Sequence, residues 1–281
     1  MADNLEEDDV IVDWSRQGLW RLDLQPCHAS LTTLVADHNC ITKLDTLQLC
    51  PRLQQLSLAH NRLVDMSGLS HLHNLTVLNL SANSISVTEG LDSLSQLSWV
   101  DLSSNDIKDM EGFSSCLKLH HLDLSDNNIS ELSDLHSLTI LTTLLLHGNA
   151  LSDLTTAPHC LPNSLRTLSL ETNYIEDLTQ VTNLCFLSEI LQLSIADNPC
   201  VQMTAHKEGF DYRPYILCCC PSLQVLDGYV LNDSERQQAQ WLYQQGYIHH
   251  ILPGQHLLMV RYLATVCPLT LLPQALLAVC A

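Results

Sequence analysis

The side chains with the widest chemical reach in this chain are histidines and aspartates that recur in similar phrases. His120, His121 and His147 fall near Asp101 and Asp123, and imidazole with carboxylate is a donor set suited to zinc and other divalent ions. The spacing argues against that use. Neighbours such as His120 and His121 diverge on an extended chain, so no metal site is expected. Nucleophile signatures are also missing: there is no GxSxG, no HExxH and no phosphate-cradling glycine loop in a chain with nine glycines. The twelve cysteines are scattered, apart from consecutive Cys218, Cys219 and Cys220. They form neither CxxC pairs nor a secreted disulfide framework. Reduced, intracellular thiols are expected, several standing in for small apolar residues. No catalytic residue and no cofactor are expected.

The elements that carry these side chains are set by a ladder of eight asparagines: Asn39, Asn61, Asn83, Asn105, Asn127, Asn149, Asn173 and Asn198. The first six are 22 residues apart, and the last two gaps are 24 and 25. Each closes the phrase LxxLxLxxN, as in Leu119, Leu122, Leu124 and Asn127. The L-x-L segment reads as a short strand whose leucines share one face. Stacked coils pool those leucines into a core that no single repeat can build. The expected fold is therefore α/β, a leucine-rich-repeat solenoid of the 22-residue class with a parallel concave sheet. An asparagine amide donates and accepts, so it is suited to satisfying backbone groups of adjacent coils. Apolar residues after each asparagine (Ile41, Leu63, Ile85, Ile107, Ile129) should line the convex side in 3₁₀ or short helical turns.

The outward rows of the strands define a candidate protein-binding face. Third strand positions read Thr33, Gln55, Val77, Trp99, His121, Thr143 and Arg166. Fifth positions read Val35, Ser57, Asn79, Asp101, Asp123, Leu145 and Ser169. Trp99 has no core role in this frame, because Leu97, Val100 and Leu102 take the core positions. An exposed Trp99 bordered by Val77, Asp101, His121, Asp123, Leu145 and His147 has the composition of an interface anchor with a polar rim.

Solenoid ends expose core and need caps. The expected layout is a disordered acidic segment over 1–11 and a capping half-repeat over 12–30, in which Trp14 and Leu19 cover the first coil. Eight repeats follow over 31–208, then a cap over 209–230 and a helical, apolar tail over 231–281. A helix is expected from Asp233 to Gln245, capped by Asp233 or Ser234, with Trp241, Leu242 and Tyr243 packed back on the cap. The stretch from His256 to Ala281 is apolar, yet Arg261, Pro268, Pro273 and Gln274 oppose a membrane span. An amphipathic helix from Gln255 to Val266, broken at Pro268, is expected instead. The formal charge of −19 argues against nucleic acid and suits a basic protein partner. The acidic N-terminus has no apolar run and does not read as a signal or transit peptide.

The repeat phrase resembles the class typified by a protein-phosphatase regulator and a spliceosomal ribonucleoprotein, which makes a phosphatase-regulatory or RNP adaptor an alternative function. A narrower resemblance covers residues 12–270. The strings VDWSRQGL (12–19), HLDLSDNNIS (121–130), TLLLHGN (143–149), GFDYRPYI (209–216), LDGYV (226–230) and PGQHLLMVRYLATVCPLT (253–270) resemble a family of centrosomal leucine-rich-repeat and IQ-domain proteins. The resemblance to the repeat class implies a C-terminal cap built on Asp211, Tyr212, Arg213, Tyr215 and Asp227, where an arginine and a tyrosine tie a helix to a final strand. The centrosomal family implies a non-enzymatic scaffold in the cytoplasm, at the centrosome. Such a scaffold caps centrioles with the centriolar coiled-coil protein of 110 kDa and restrains cilium assembly. The family also carries a calmodulin-binding IQ motif. No basic IQ-type helix occurs in this sequence, which leaves calmodulin without a sequence basis as a partner. The ending LLPQALLAVCA departs from the family, as a truncated or alternatively spliced product would.

Overall fold

The computed structural model describes residues 10–202 and 209–268. Residues 1–9 of the expected acidic segment, 203–208 of the expected repeats and 269–281 of the expected tail lie outside the described residues. Among the described residues, eleven strands form one sheet in chain order. They are β1 (Val10–Asp13), β2 (Leu31–Val35), β3 (Gln55–Ser57), β4 (Val77–Asn79), β5 (Trp99–Asp101) and β6 (His121–Asp123), then β7 (Thr143–Leu145), β8 (Thr167–Ser169), β9 (Gln192–Ser194), β10 (Val225–Leu226) and β11 (Tyr229–Val230). Every neighbouring pair is parallel except the terminal hairpin of β10 and β11. The chain is a leucine-rich-repeat solenoid, as the ladder predicts.

Strand register follows from burial. Leu34, Leu56, Leu78, Val100, Leu122, Leu144, Leu168 and Leu193 pair across successive strands and are buried. A slip of one residue would turn this whole row into solvent. The residues on either side of each are half-exposed on the opposite face of the sheet, apart from buried Ser169 and the more exposed Gln55 and Gln192. Convex-side segments close each coil. They include 3₁₀ turns at Leu47–Leu49 and Leu69–His71 and the short helix α1 (Ala157–Cys160). A longer 3₁₀ segment spans Leu178–Leu184. These last two elements lie in the intervals where the asparagine gap widens. Cys50 and Cys116 are fully buried among the leucines, in the place of small apolar residues.

The asparagine amides stitch one coil to the next. Asn127 Nδ2 donates to Leu102 O (3.0 Å) of the preceding coil and to Leu124 O (3.1 Å) of its own. Its Oδ1 accepts from Ile107 N at 3.0 Å. The same trio of bonds recurs from Asn61 (Ala36 O, Leu58 O, Ile41 N) to Asn198 (Leu170 O, Ile195 O, Ile175 N). Entry to each asparagine requires a left-handed residue. His38, His60, Ala82, Ser104, Asp126, Gly148, Thr172 and Asp197 all have positive φ, and only one of them is glycine.

Both ends are covered. Trp14 and Leu19 are half-buried against the first coil. Strand β1 starts at Val10, so the ordered half-repeat begins inside the segment 1–11 expected to be disordered; pairing with β2 recruits Val10 and Ile11. At the other end, helix α2 (Arg213–Cys219) and helix α3 (Asp233–Gln244) pack together. Arg213 Nε donates to Glu235 Oε1 at 2.6 Å in a largely buried ion pair, and Arg213 Nη1 donates to Leu226 O at 3.1 Å. Tyr212 Oη donates to Asp227 Oδ2 at 2.7 Å. Asp227 Oδ1 accepts from Ile195 N and Ala196 N of the last coil. Tyr215 is buried. Asp227 and Gly228 both have positive φ and close the β10–β11 hairpin, as an Asp-Gly pair favours.

Two local expectations are corrected. The cap of α3 is Asn232, not Asp233 or Ser234. Asn232 Oδ1 accepts from Glu235 N while Glu235 Oε2 accepts from Asn232 N, a reciprocal pair that the later residues cannot form. Of Trp241, Leu242 and Tyr243, only Leu242 is buried, because its neighbours lie on other faces of the helix. Helix α4 (His256–Val266) follows Gln255 as expected and folds back on the last coil. There Leu178 N donates to His256 Nδ1 and Gly254 N donates to Asp177 Oδ2. Among the described residues no helix is long and apolar enough to cross a membrane.

Asn127→Ala should lower stability by about 3 kcal/mol in urea denaturation, since it leaves buried carbonyls and an N–H unpaired. Asn83→Ala should cost less, because Asn83 is only partly buried. Gly112→Ala should cost about 2 kcal/mol. Its φ is +86°, and an added Cβ would meet Thr88 O at 2.5 Å.

Candidate functional site

Regular register brings the sequence-predicted surface residues onto one patch. Val77, Trp99 and His121 are direct partners across β4, β5 and β6. Asn79, Asp101, Asp123 and Leu145 form the parallel row one step along. His147 follows β7 and lines a shallow groove of about 380 Å³ with Leu145, Asp126, Glu171 and Gln192. His120, next to His121, is exposed on its own. The third row continues through Thr143 to Thr167 rather than to Arg166. Leu145 and Ser169 stay in register across α1, so Arg166 falls one residue short of the third row and instead meets Glu189 at 3.4 Å in an exposed ion pair.

Trp99 is half-buried, not fully exposed as its sequence position suggests. The reason is its neighbour: the indole and the His121 imidazole stack with centroids 5.2 Å apart and planes 8° from parallel. Aligned parallel strands place equivalent side chains about 5 Å apart, so two flat rings in one row cover each other. The result is a broad aromatic plate. Burial pulls the His121 imidazole below its ordinary value of 6.5, and the carboxylates of Asp123 and Asp101 only partly oppose this. The ring is therefore neutral at neutral pH.

The carboxylates beside the plate are held in place. Asp101 Oδ1 accepts from Ser103 N (2.9 Å) and Ser103 Oγ (2.6 Å). Asp123 Oδ1 makes the same pair of bonds with Ser125. The recurring Asp-Leu-Ser phrase thus fixes one oxygen of each carboxylate. Among the described residues no group of three His, Cys, Asp or Glu side chains is placed to hold a metal ion. A second ring stack, His38 on His60 at 4.3 Å, went unread in the sequence. Its signal was present: both residues directly precede ladder asparagines 22 positions apart.

Comparison with known proteins agrees with this architecture. A leucine-rich repeat family profile matches residues 114–251, and a profile for paired leucine-rich repeats matches 29–71 and 51–95. Human centrosomal protein of 97 kDa is 67% identical over 261 residues, covering 92% of this chain and 30% of that protein. The mouse protein of the same name is 65% identical over the same extent. The chain thus spans under a third of the length of these curated relatives. Among solved structures, an internalin from Listeria monocytogenes aligns with a TM-score of 0.59 at 25% identity, covering 72% of this chain and 62% of that one.

An NMR titration should give His121 a midpoint below 6.5, and Asp123→Asn should move it lower still by removing an opposing charge. Because the unfolded imidazole binds its proton at higher pH, stability should fall as pH drops from the ordinary imidazole range through the folded midpoint. His121→Asn should remove that part of the slope.

Proposed function

As a member of the leucine-rich-repeat family whose homologues over 92% of its length are centrosomal proteins of 97 kDa, this chain, we propose, is a non-enzymatic scaffold that binds another protein on its concave face. Its location is the centrosome, for which those homologues are named. The partner proposed is the centriolar coiled-coil protein of 110 kDa. With it the scaffold caps centrioles and restrains cilium assembly.

The observation that carries the docking face is the Trp99–His121 plate flanked by Asp101 and Asp123. Aromatic surface of this kind supplies most of the binding energy in protein interfaces. The half-buried plate already has part of its desolvation and ordering in place before a partner arrives. Carboxylates at its edge favour lysine or arginine side chains of the partner, in keeping with an acidic chain of formal charge −19. A neutral His121 adds no repulsion to such a cationic segment. The adaptor alternative rests on the repeat class alone, whereas the 67% identity extends across 92% of the chain.

Trp99→Ala should weaken binding to the coiled-coil partner by at least about tenfold in a titration, with circular dichroism unchanged. Val64→Ser, at an exposed position outside the strand rows, should leave affinity intact. Full affinity in the folded Trp99→Ala protein would remove this face as the interface. In cells, tagged chain should appear as centriolar puncta; a diffuse nuclear signal would favour the adaptor instead.

A further inference from the structure

The left-handed residue before each ladder asparagine stands at the same place in every coil, giving the row His60, Ala82, Ser104, Asp126, Gly148 and Thr172. At Gly148 the row loses its side chain. There the groove of about 380 Å³ opens, with Leu145 and Ser169 in its lining. Asp126 from the preceding coil and Glu171 from the following one also line it. The Asp126 carboxylate lies over the glycine: a Cβ added to Gly148 would collide with Asp126 Oδ1.

No lysine or arginine lines this groove. Arg166, on the same coil as Glu171, is turned to Glu189 instead. Among the described residues the side chains of Asp126 and Glu171 have no hydrogen-bond or ion-pair partner, whereas Asp101 and Asp123 are each clamped by a serine. Two unpaired carboxylates from coils on either side of a gap form a cation site with an apolar residue, Leu145, beside it.

We propose that this groove takes an arginine side chain from an α-helical segment of the protein partner, and that the same helix lays an apolar side chain on the Trp99–His121 plate. The inference rests on the concave face being the docking face, and it names the partner's chemistry there. Arginine fits the lining better than lysine. Its planar guanidinium carries five donors, and the groove offers acceptors from several directions: the two carboxylates, Thr167, Gln192 and Ser194. A lysine ammonium presents three donors from one point.

The helix follows from the separation of the two subsites. The plate is centred between β5 and β6, and the groove between β7 and β8. Two strand spacings amount to about 10 Å. Residues seven apart in an α-helix lie on one face, two turns or about 10.5 Å apart. The intervening surface is continuous, because Leu145 follows Asp101 and Asp123 in their row and also lines the groove.

The test pans a phage library of random peptides, about four helical turns long, on the folded full chain and then titrates the selected peptides in solution. Selected sequences should pair an arginine with an aromatic or large aliphatic residue seven positions away. Asp126→Asn combined with Glu171→Gln should weaken them by at least about tenfold, and that loss should vanish for a peptide whose arginine is replaced by glutamine. Gly148→Ala should weaken them several-fold with charge unchanged, because the new methyl displaces the Asp126 carboxylate. Ala82 holds the equivalent left-handed position, so this variant should fold. Trp99→Ala keeps the two readings apart. Peptides weakened by Trp99→Ala but not by the double carboxylate variant would overturn the groove and leave the concave face standing. Peptides that need the two carboxylates but not Trp99 would support the groove and remove the plate as anchor. Selected peptides without arginine, lysine serving equally well, proline tolerated inside the seven-residue interval, or no enrichment at all would each overturn the proposal.

Discussion

One hydrogen-bonded group sets the geometry of this protein: the ladder amide that donates to the carbonyls of two coils and accepts from an N–H of the earlier one. A solenoid coil turns sharply at the end of each strand, and a turn inside a packed array strands backbone polar groups away from water. The asparagine fills that deficit with a single side chain. It also fixes the distance between coils, since bonds near 3.0 Å to both leave little freedom. Leucine burial then favours the stack, and the left-handed residue before each asparagine is the strain that the stack must absorb. At the cap, Asp227 sits in the carboxylate row rather than on the ladder, and its Oδ1 ties the final strand to Ile195 N and Ala196 N of the last coil.

Surface chemistry inherits this precision. Residues that share a row are neighbours because their coils have the same length, so two rings stack at 5.2 Å without any dedicated packing device. The carboxylate row is positioned by the same logic, with each serine two residues along its own strand serving as the clamp. Function on such a scaffold comes from which side chains occupy a fixed grid rather than from a specially shaped pocket.

The fold was legible because periodicity is a global signal: eight in-phase asparagines tolerate local substitutions such as Ala36 and Val100 without losing the pattern. Surface rows were legible for the same reason as far as Thr143. Beyond it the fifth row still carries across the α1 insertion to Ser169, whereas Arg166 stood one residue short of the third position, which Thr167 occupies. What stayed hidden depended on pairwise contact. Trp99 is half-buried and stacked on His121, and no single-residue reading contains that partner. The Asn232 cap was missed for a simpler reason: the extended residue before a helix competes with Asp233 and Ser234 for the same role, and only the reciprocal bond with Glu235 decides among them.

Uniform coil length has an implication for how this surface can vary. From Asn61 to Asn149, each ladder amide reaches a carbonyl 25 residues back and an N–H 20 residues back. At Asn173 those offsets become 27 and 22, and at Asn198 they become 28 and 23. The early coils are therefore interchangeable as backbone units: excising or duplicating one would rejoin matching ends, altering only the order in which aromatic and acidic lines appear to an incoming chain. The later coils lack that modularity, since a coil removed from or added to the rear would not rejoin its neighbours at matching offsets.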